Sequence, residues 1–205
     1  MSITMRYGMV IDLKRCVGCQ ACTMACKVEN GTPREIFFTK TLEQVSGTYP
    51  IVRKKFYPVL CNHCANAPCE RVCPSGATHR REDGIVLVDY DKCIGCKACV
   101  VACPYNNRTF LMKGGLQGYY GSELTPFETV KYAKYHEGTV VKCTFCAERL
   151  DQGLEPACVN VCPAEARVFG DLHDPESAVS RLIRQRGGYQ PLAEADTDPS
   201  VYYLE

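Results

Sequence analysis

Sixteen cysteines, in four groups of four with none left over, limit the folds open to this chain of 205 residues. The groups, in chain order, are Cys16, Cys19, Cys22 and Cys26; Cys61, Cys64, Cys69 and Cys73; Cys93, Cys96, Cys99 and Cys103; and Cys143, Cys146, Cys158 and Cys162. A proline directly follows the last cysteine of the second, third and fourth groups. Thiolates are soft metal ligands, so four complete sets predict a chain that folds around metal.

Three kinds of site use closely spaced cysteines. Disulfides suit small secreted proteins, but a chain of this length buries a core without cross-links. Structural zinc takes pairs of Cys-x2-Cys, yet zinc ribbons need no further cysteines three apart before a proline. The bacterial ferredoxin run for 4Fe–4S clusters is Cys-x2-Cys-x2-Cys-x3-Cys-Pro; the third group matches it fully, and the first departs only at Lys27. The sequence therefore predicts four 4Fe–4S clusters, with a zinc-structured interaction module as an alternative.

The spacing between the groups indicates how they share clusters. In two-cluster ferredoxins the fourth cysteine of each motif serves the other cluster, so motifs work in pairs. We expect it at the start of a short helix, facing away from the first three. Only 19 residues (74–92) separate the second and third groups, whereas 34 and 39 residues fill the other gaps. This favours pairing second with third and first with fourth, and sequential pairing remains open.

Four sites follow from that pairing, and we call them sites A to D. Their predicted ligands are Cys16, Cys19, Cys22 and Cys162 (site A); Cys26, Cys143, Cys146 and Cys158 (site B); Cys61, Cys64, Cys69 and Cys103 (site C); and Cys73, Cys93, Cys96 and Cys99 (site D). The predicted fold class is α+β, with two interleaved ferredoxin-like modules, one inserted in the other. Residues 57–112 form the inner module. Residues 1–56, with a hairpin insertion, and 142–205, with a C-terminal helix and tail, form the outer one, and 113–141 is a second insertion.

Local patterns predict the elements around these motifs. Residues 5–13 alternate like a strand, 23–30 form a short helix ended by Gly31, and 147–152 form a helical turn. A hairpin is expected around Ser46-Gly47, with strands at 37–45 and 51–56, and another around Glu82-Asp83-Gly84. Residues 113–141 are rich in glycine and aromatic residues, which is typical of irregular loops.

The C-terminal part is expected to begin a helix at Asp174-Pro175, where aspartate would cap it and proline would take the first helical position. Gly187 would end that helix. Residues 201–204 are expected to add a strand or to lie on a neighbouring element.

Composition excludes several classes of protein. The net charge of +1 does not indicate binding to nucleic acid or to an anionic membrane. No apolar run approaches the ~18–20 residues of a membrane span, and residues 1–13 do not read as a signal peptide. No GxGxxG turn, phosphate loop or nucleophile elbow is present in the sequence, so we expect no catalysis by the chain itself.

Other polar residues near the motifs are expected to tune the sites. His63 follows Cys61 as in half of a Rieske motif, but no Cys-x2-His accompanies it, which favours a hydrogen bond or solvent exposure over ligation. Four cubes with four thiolates each would bring the net charge to about −7, which nearby cations would partly offset. The flanking cations are Lys14, Arg15, Lys27, Arg71, Lys92, Lys97, Lys142 and Arg149.

The cluster chemistry predicts electron transfer. A cube with four cysteine ligands has no open iron corner, so it exchanges electrons and does not bind substrate. A globule of this length has a radius of gyration of about 17 Å, which spaces four clusters about 13 Å apart. The sequence thus predicts a redox relay between a donor and an acceptor.

The motifs also resemble a known family. The segments "YGMVIDLKRCVGCQACTMACKVEN", "LCNHCANAPCERVCPSGA", "DKCIGCKACVVACPY" and "KCTFCAERLDQGLEPACVNVCP…FGDLHDPES" resemble the four-cluster iron–sulfur subunits of the dimethyl sulfoxide reductase superfamily of molybdenum and tungsten enzymes. The likeness covers about residues 5–177. It looks strongest to the polysulfide, thiosulfate, arsenate and dimethyl sulfoxide reductase branches, and the family pairs its motifs first with fourth and second with third.

The resemblance implies two partners. Sites A and B would lie toward a large catalytic subunit with a bis-pterin molybdenum or tungsten cofactor, and site D toward a quinone-reactive membrane subunit or a cytochrome. Some relatives replace the residue that matches Cys96 and hold a 3Fe–4S cluster, so cysteine here implies a 4Fe–4S cube. Since the chain carries no long C-terminal anchor, membrane attachment is expected to come from another subunit.

The sequence leaves one alternative open for the cellular location of the protein and one for its role. The family resemblance implies a periplasmic or other extracytoplasmic position through co-export with the catalytic subunit, with a cytoplasmic position as the alternative. A free-standing polyferredoxin shuttle is the alternative to a dedicated subunit.

Overall fold

The computed structural model describes residues 5–121 and 123–205, and its elements are short. The strands are β1 (Tyr7–Asp12), β2 (Thr39–Thr48), β3 (Ile51–Leu60), β4 (Thr78–Arg80), β5 (Val86–Val88), β6 (Thr109–Phe110), β7 (Val140–Val141), β8 (Arg167–Asp171) and β9 (Val201–Leu204). The helices are α1 (Ala21–Asn30), α2 (Pro68–Arg71), α3 (Ala98–Val101), α4 (Pro126–Tyr132), α5 (Ala147–Leu150), α6 (Ala157–Asn160) and α7 (Ala178–Arg186). This mixture of small helices and strands is an α+β fold.

A three-stranded sheet joins the two ends of the chain. Strand β1 lies in its centre, antiparallel to β8 and parallel to β9. The predicted strand at 5–13 and the one at 201–204 are both confirmed. Five of the six residues of β1 are buried, because both faces of the central strand are covered. The pairing brings the chain before the first cysteine group beside the chain that follows the fourth.

The core of the molecule packs around the cysteine groups. Its largest buried cluster combines aliphatic and aromatic side chains with the thiols of Cys26, Cys143 and Cys158. A smaller cluster under α7 contains Val10, Val179 and Leu204. Within the described residues, no helix has both the length and the apolar character that crossing a bilayer requires.

Two predicted hairpins are present, one of them with a different turn. Strands β4 and β5 pair on either side of the Glu82-Asp83-Gly84 turn, as expected. In the longer hairpin Thr48 pairs with Ile51, so the turn is Tyr49-Pro50 and the prediction of a turn at Ser46-Gly47 is wrong. Gly47 instead pairs with Val52 inside the ladder, where its missing side chain allows a close approach to the Ile51 carbonyl.

The insertion at 113–141 contains a helix, so the prediction of a wholly irregular loop is wrong. Thr125 caps α4: its hydroxyl accepts a hydrogen bond from the Glu128 N–H, and the Glu128 carboxylate accepts one from the Thr125 N–H. Pro126 occupies the first helical position, where a missing N–H costs nothing. This capping box starts a helix that glycine and aromatic content alone did not indicate.

The last helix begins later than predicted. The expected start at Asp174-Pro175 is wrong, because Ser177 is the cap and its hydroxyl accepts from the Ser180 N–H at 3.2 Å. Asp174 instead closes a turn by accepting from the Glu176 N–H. The predicted end at Gly187 is confirmed, as is the end of α1 at Gly31, and both glycines adopt the left-handed conformation that favours glycine.

The prediction that the fourth cysteine of a group starts a short helix is wrong. The third cysteine is the second residue of its helix in every group, and these residues are Cys22, Cys69, Cys99 and Cys158. Because α2, α3 and α6 are single turns, the fourth cysteines Cys73, Cys103 and Cys162 follow their ends. Cys26 lies within the longer α1.

Candidate metal centres

One pocket near the edge of the central sheet is lined by the four thiols of site A. Cys16 and Cys19 come from the loop between β1 and α1, Cys22 lies in the first turn of α1, and Cys162 follows α6. The loop is turned by the Asp12 carboxylate, which accepts hydrogen bonds from the N–H groups of Lys14 and Arg15 and pairs with Arg186. Two thirds of the chain's length therefore separates the first three thiols from the fourth.

The four thiols of site D line a second pocket. Cys93 and Cys96 lie in the loop that leads into α3, Cys99 lies in α3, and Cys73 lies after α2. Gly95 adopts a φ of +68° there, and a side chain at this position would meet the Gly138 carbonyl oxygen at 2.0 Å. Only glycine satisfies both conditions, which explains the Cys-Ile-Gly-Cys sequence of this loop.

The thiols of sites B and C neighbour one another, since Cys61 of site C is among the thiols that act on Cys143 of site B. The thiol charges that act on Cys26 come from Cys158 and Cys146, and Asn30 donates to Cys26 Sγ at 3.5 Å. Around Cys64 the neighbouring thiols are those of Cys61, Cys69 and Cys103. All four cysteines of site B are buried, whereas Cys19 of site A and Cys96 of site D are exposed.

Burial raises the pKa of eight of the sixteen thiols, which favours their protonated form while they have no ligand. It raises the pKa of Cys64 to about 12 and that of Cys146 to about 11, and it raises the pKa of Cys143 well above the usual range. Burial acts in the same direction on Cys73, but hydrogen bonds from Thr78 and Ser75 outweigh it and lower that pKa. A metal centre binding here would displace protons, so its binding weakens as the pH falls.

Comparison with known proteins decides what the thiols hold. The model of the 4Fe-4S dicluster domain matches residues 52–116 and 120–172, and that of the 4Fe-4S binding domain matches residues 7–28. The arsenate respiratory reductase iron-sulfur subunit of a Shewanella strain is 43 % identical, over 98 % of this chain and 96 % of that protein. A selenate reductase subunit of Mesobacillus selenatarsenatis is 44 % identical (97 % and 72 %), and the thiosulfate reductase electron transfer subunit of Salmonella typhi is 40 % identical (98 % and 93 %).

The chain belongs to the iron–sulfur subunits of the dimethyl sulfoxide reductase superfamily. As a member of this family it binds 4Fe–4S clusters, and the ferredoxin-like character of the fold is confirmed. Its donor set fits this cofactor, because every thiol belongs to a group of four and a cube uses four thiolates.

A single metal ion fits the structure less well than a cube. Within residues 5–121 and 123–205, no three His, Cys, Asp or Glu side chains meet closely enough to hold one ion. A cube spreads its ligands over four iron corners and so tolerates a wider separation of the thiols. Arg108 adds to the fit, because its buried Nε and Nη2 atoms find no acceptor among the described residues, and thiols of sites C and D lie around it.

His63 is a buried part of the scaffold of this iron–sulfur subunit. Its Nδ1 accepts a hydrogen bond from the Val86 N–H at 3.1 Å, and its ring stacks on Phe145 at 3.9 Å. The expected hydrogen bond is confirmed, while solvent exposure is wrong. Burial, together with the charges of Lys142 and Arg108, holds the pKa of His63 well below its ordinary value, so the ring is neutral.

The flanking cations have several different partners. Arg15, Lys92 and Arg149 pair with carboxylates, so much of their charge is already offset. The Lys97 ammonium lies over the ring of Phe110. Lys142 is buried next to the thiols, as are two arginines that our sequence reasoning missed.

The missed arginines are Arg108 and Arg167. Each lies five residues after the cysteine of a Cys-Pro pair, Cys103 in one case and Cys162 in the other. This repeated spacing is the sequence pattern from which the two arginines could have been predicted. It places each arginine seven residues after the end of a short helix, α3 for Arg108 and α6 for Arg167.

Proposed function

We propose that this protein is an electron-relay subunit that passes electrons through four 4Fe–4S clusters. Its partners are a large molybdenum or tungsten bis-pterin catalytic subunit on one side and a quinone-reactive membrane subunit or a cytochrome on the other. The observation that carries the proposal is the division of sixteen cysteines into four complete groups in a chain that matches reductase iron–sulfur subunits over almost its whole length. When bound, the clusters supply one-electron redox centres with no open iron corner, so the subunit itself is not catalytic.

The ligand sets of this proposal are sites A to D as defined above. The pocket shared by Cys16 and Cys162 supports the pairing of the first group with the fourth, and the pocket shared by Cys73 and Cys93 supports that of the second with the third. Interleaved modules agree with the central sheet, since β1 pairs with β8 across the intervening chain. The segments 1–56, 57–112, 113–141 and 142–205 stay predictions.

The two exposed sites are the proposed ends of the relay. Cys19 of site A and Cys96 of site D reach the surface, so electrons can enter and leave there, while the thiols of site B are buried. Val17 and Ile94 lie beside these cysteines and are 61 % and 68 % exposed. Exposed apolar side chains next to an electron port favour a protein partner at each end.

Stable docking is favoured over a free shuttle by the long hairpin. Strands β2 and β3 extend from the core, and Leu42, Val45 and Ile51 on them are exposed. A freely diffusing carrier gains nothing from a surface of this kind. By family resemblance, we place the complex on the extracytoplasmic side, exported with the catalytic subunit; cytoplasmic placement is the alternative that cell fractionation distinguishes.

Purification from the native cells in mild detergent tests this function. We expect the protein to elute with a larger subunit that contains molybdenum or tungsten and a pterin, with one copy of each. The dithionite-reduced clusters should be reoxidised when that subunit receives its oxidised substrate. Elution of the iron-loaded chain alone, from fractions in which the larger subunit is intact, would support the polyferredoxin alternative and contradict the proposal.

A further inference from the structure

Three cations lie buried among the thiols without being candidate ligands. Lys142 is 2 % exposed, Arg167 3 % and Arg108 4 %. In the part of the chain that the structure describes, none of the three pairs with a carboxylate. Burying a charge is costly without a countercharge, so the position of these cations requires an explanation.

Arg167 lies between sites A and B. It lines the pocket of site A together with Cys16 and Cys162. Its Nη1 lies 3.6 Å from Sγ of Cys158 in site B, and its Nη2 donates to Thr39 Oγ1 at 2.9 Å. One guanidinium therefore contacts both sites, and the threonine fixes its orientation.

Arg108 lies between sites C and D. Its Nη1 donates to Thr78 Oγ1 at 3.1 Å, and the Thr78 N–H donates to Sγ of Cys73 in site D at 3.4 Å. The preceding residue, Asn107, donates to the carbonyl of Leu60 next to Cys61 of site C. The thiols that act on the guanidinium are those of Cys69 and Cys61 in site C and Cys99 in site D. The guanidinium is therefore close to thiols of two different sites.

Lys142 lies between sites B and C. It directly precedes Cys143 of site B, and its Nζ donates to the Cys143 carbonyl at 2.6 Å. The loop that follows Lys142 touches site C, because the ring of Phe145 stacks at 3.9 Å on that of His63, which lies between Cys61 and Cys64. The charge of Lys142 acts on the thiols of Cys143 in site B and Cys69 in site C. Its charge thus acts on one thiol of each site.

Lys27 is a buried cation with a structural role, and its hydrogen bonds differ from those of the two buried arginines. Its Nζ donates to four oxygens, and these are Thr32 Oγ1 and the carbonyls of Pro33, Arg34 and Ile36. Those bonds fasten the loop after α1 and account for the burial of Lys27. Among the described residues, Arg108 and Arg167 each donate to one oxygen only, the hydroxyl of Thr78 and that of Thr39.

We propose that Arg167, Lys142 and Arg108 are positioning residues for electron transfer, each holding one fixed positive charge in the gap between two neighbouring clusters. The proposal rests on the proposed function and its ligand sets. A cation in such a gap attracts an electron on either side, so it raises the reduction potentials of both clusters. The three gaps A–B, B–C and C–D then each contain one charge.

Redox titration of the iron-loaded complex, monitored by EPR, tests this assignment. The variants are R167Q, K142Q and R108Q. We expect a different pair of clusters to shift to lower potential in each, namely A and B, B and C, and C and D. The reduction equilibrium constant of both members should fall by roughly tenfold, which is about 59 mV for one electron. Arg184, an exposed cation that donates to the Pro175 carbonyl, supplies the control R184Q, which should move none of the four.

Charge rescue separates an electrostatic role from a structural one. R108K and R167K should load the same iron as the unaltered protein and restore most of the lost potential. Shifts confined to one cluster, or equal in all four, would overturn the proposal, as would unchanged potentials. Iron content and the number of EPR signals report on the proposed function separately. If R108Q or R167Q loads too little iron, its lysine counterpart and the other two gaps still decide the result, and for K142Q the charge-preserving variant K142R serves the same purpose.

Discussion

Removing the iron from this protein with a chelator is expected to abolish its cooperative thermal unfolding transition. The clusters provide the negative charge that faces Arg108, Lys142 and Arg167, and protonated thiols provide none. Leaving a buried charge unpaired costs about 3–5 kcal/mol, so three of them rival the whole stability of a domain, about 5–15 kcal/mol. Far-UV circular dichroism and calorimetry measure the loss.

The pH dependence of iron loss has a defined sign. Burial raises the pKa of Cys64 and Cys146, so these thiols carry a proton when no iron is bound. Each of them must release that proton to bind iron as a thiolate. Chelation should therefore be faster at pH 6 than at pH 8. An iron-free protein that keeps a native spectrum and a sharp transition would contradict the structural role of the clusters.

Replacing a buried ligand should be far more damaging than replacing an exposed one. Cys143 belongs to the main core cluster and to site B, whereas Cys96 is exposed in site D. C143S should lower the yield of soluble, iron-loaded protein by roughly tenfold or more, because it removes the charge that faces Lys142 and Arg167 in the core. C96S should alter the EPR signal of one cluster and leave the other three.

The pair of variants forms its own control, since both make the same chemical change. Iron analysis of C96S should show a loss of about one to four irons, with the fold intact by circular dichroism. Loss of all four signals in C96S would mean that the fold depends on site D. Full iron loading in C143S would remove Cys143 from the ligands of site B.

The cysteine pattern predicts the ligand groups because cluster chemistry requires fixed residue types at fixed spacings, and the structure gathers four of these thiols in the pocket of site A and four in that of site D. The central strand β1 and the end of α1 at Gly31 could also be predicted from the sequence. Each depends on a short-range pattern, which is alternation along the strand and a glycine after the helix. The capping box at Thr125 was also readable, but the glycine and aromatic content of the insertion suggested a loop instead. Competition between two candidate caps, Asp174 and Ser177, decided the start of α7 and was invisible without the surrounding contacts.

The buried cations show where sequence reasoning ends. Position next to a motif suggested eight cations, yet Arg15 and Lys92 are offset by carboxylates, while Arg108 and Arg167 were missed. Burial depends on which segments pack over a side chain. Here the pairing of β8 with β1 covers Arg167, a contact across most of the chain.

Counting iron and acid-labile sulfide in the purified protein tests the central claim most directly. Four cubes require about sixteen irons and sixteen sulfides per chain, with a broad visible absorption band near 400 nm that fades on reduction. A colourless preparation of the folded protein, with a few zinc ions or with disulfides between these cysteines, would contradict the account.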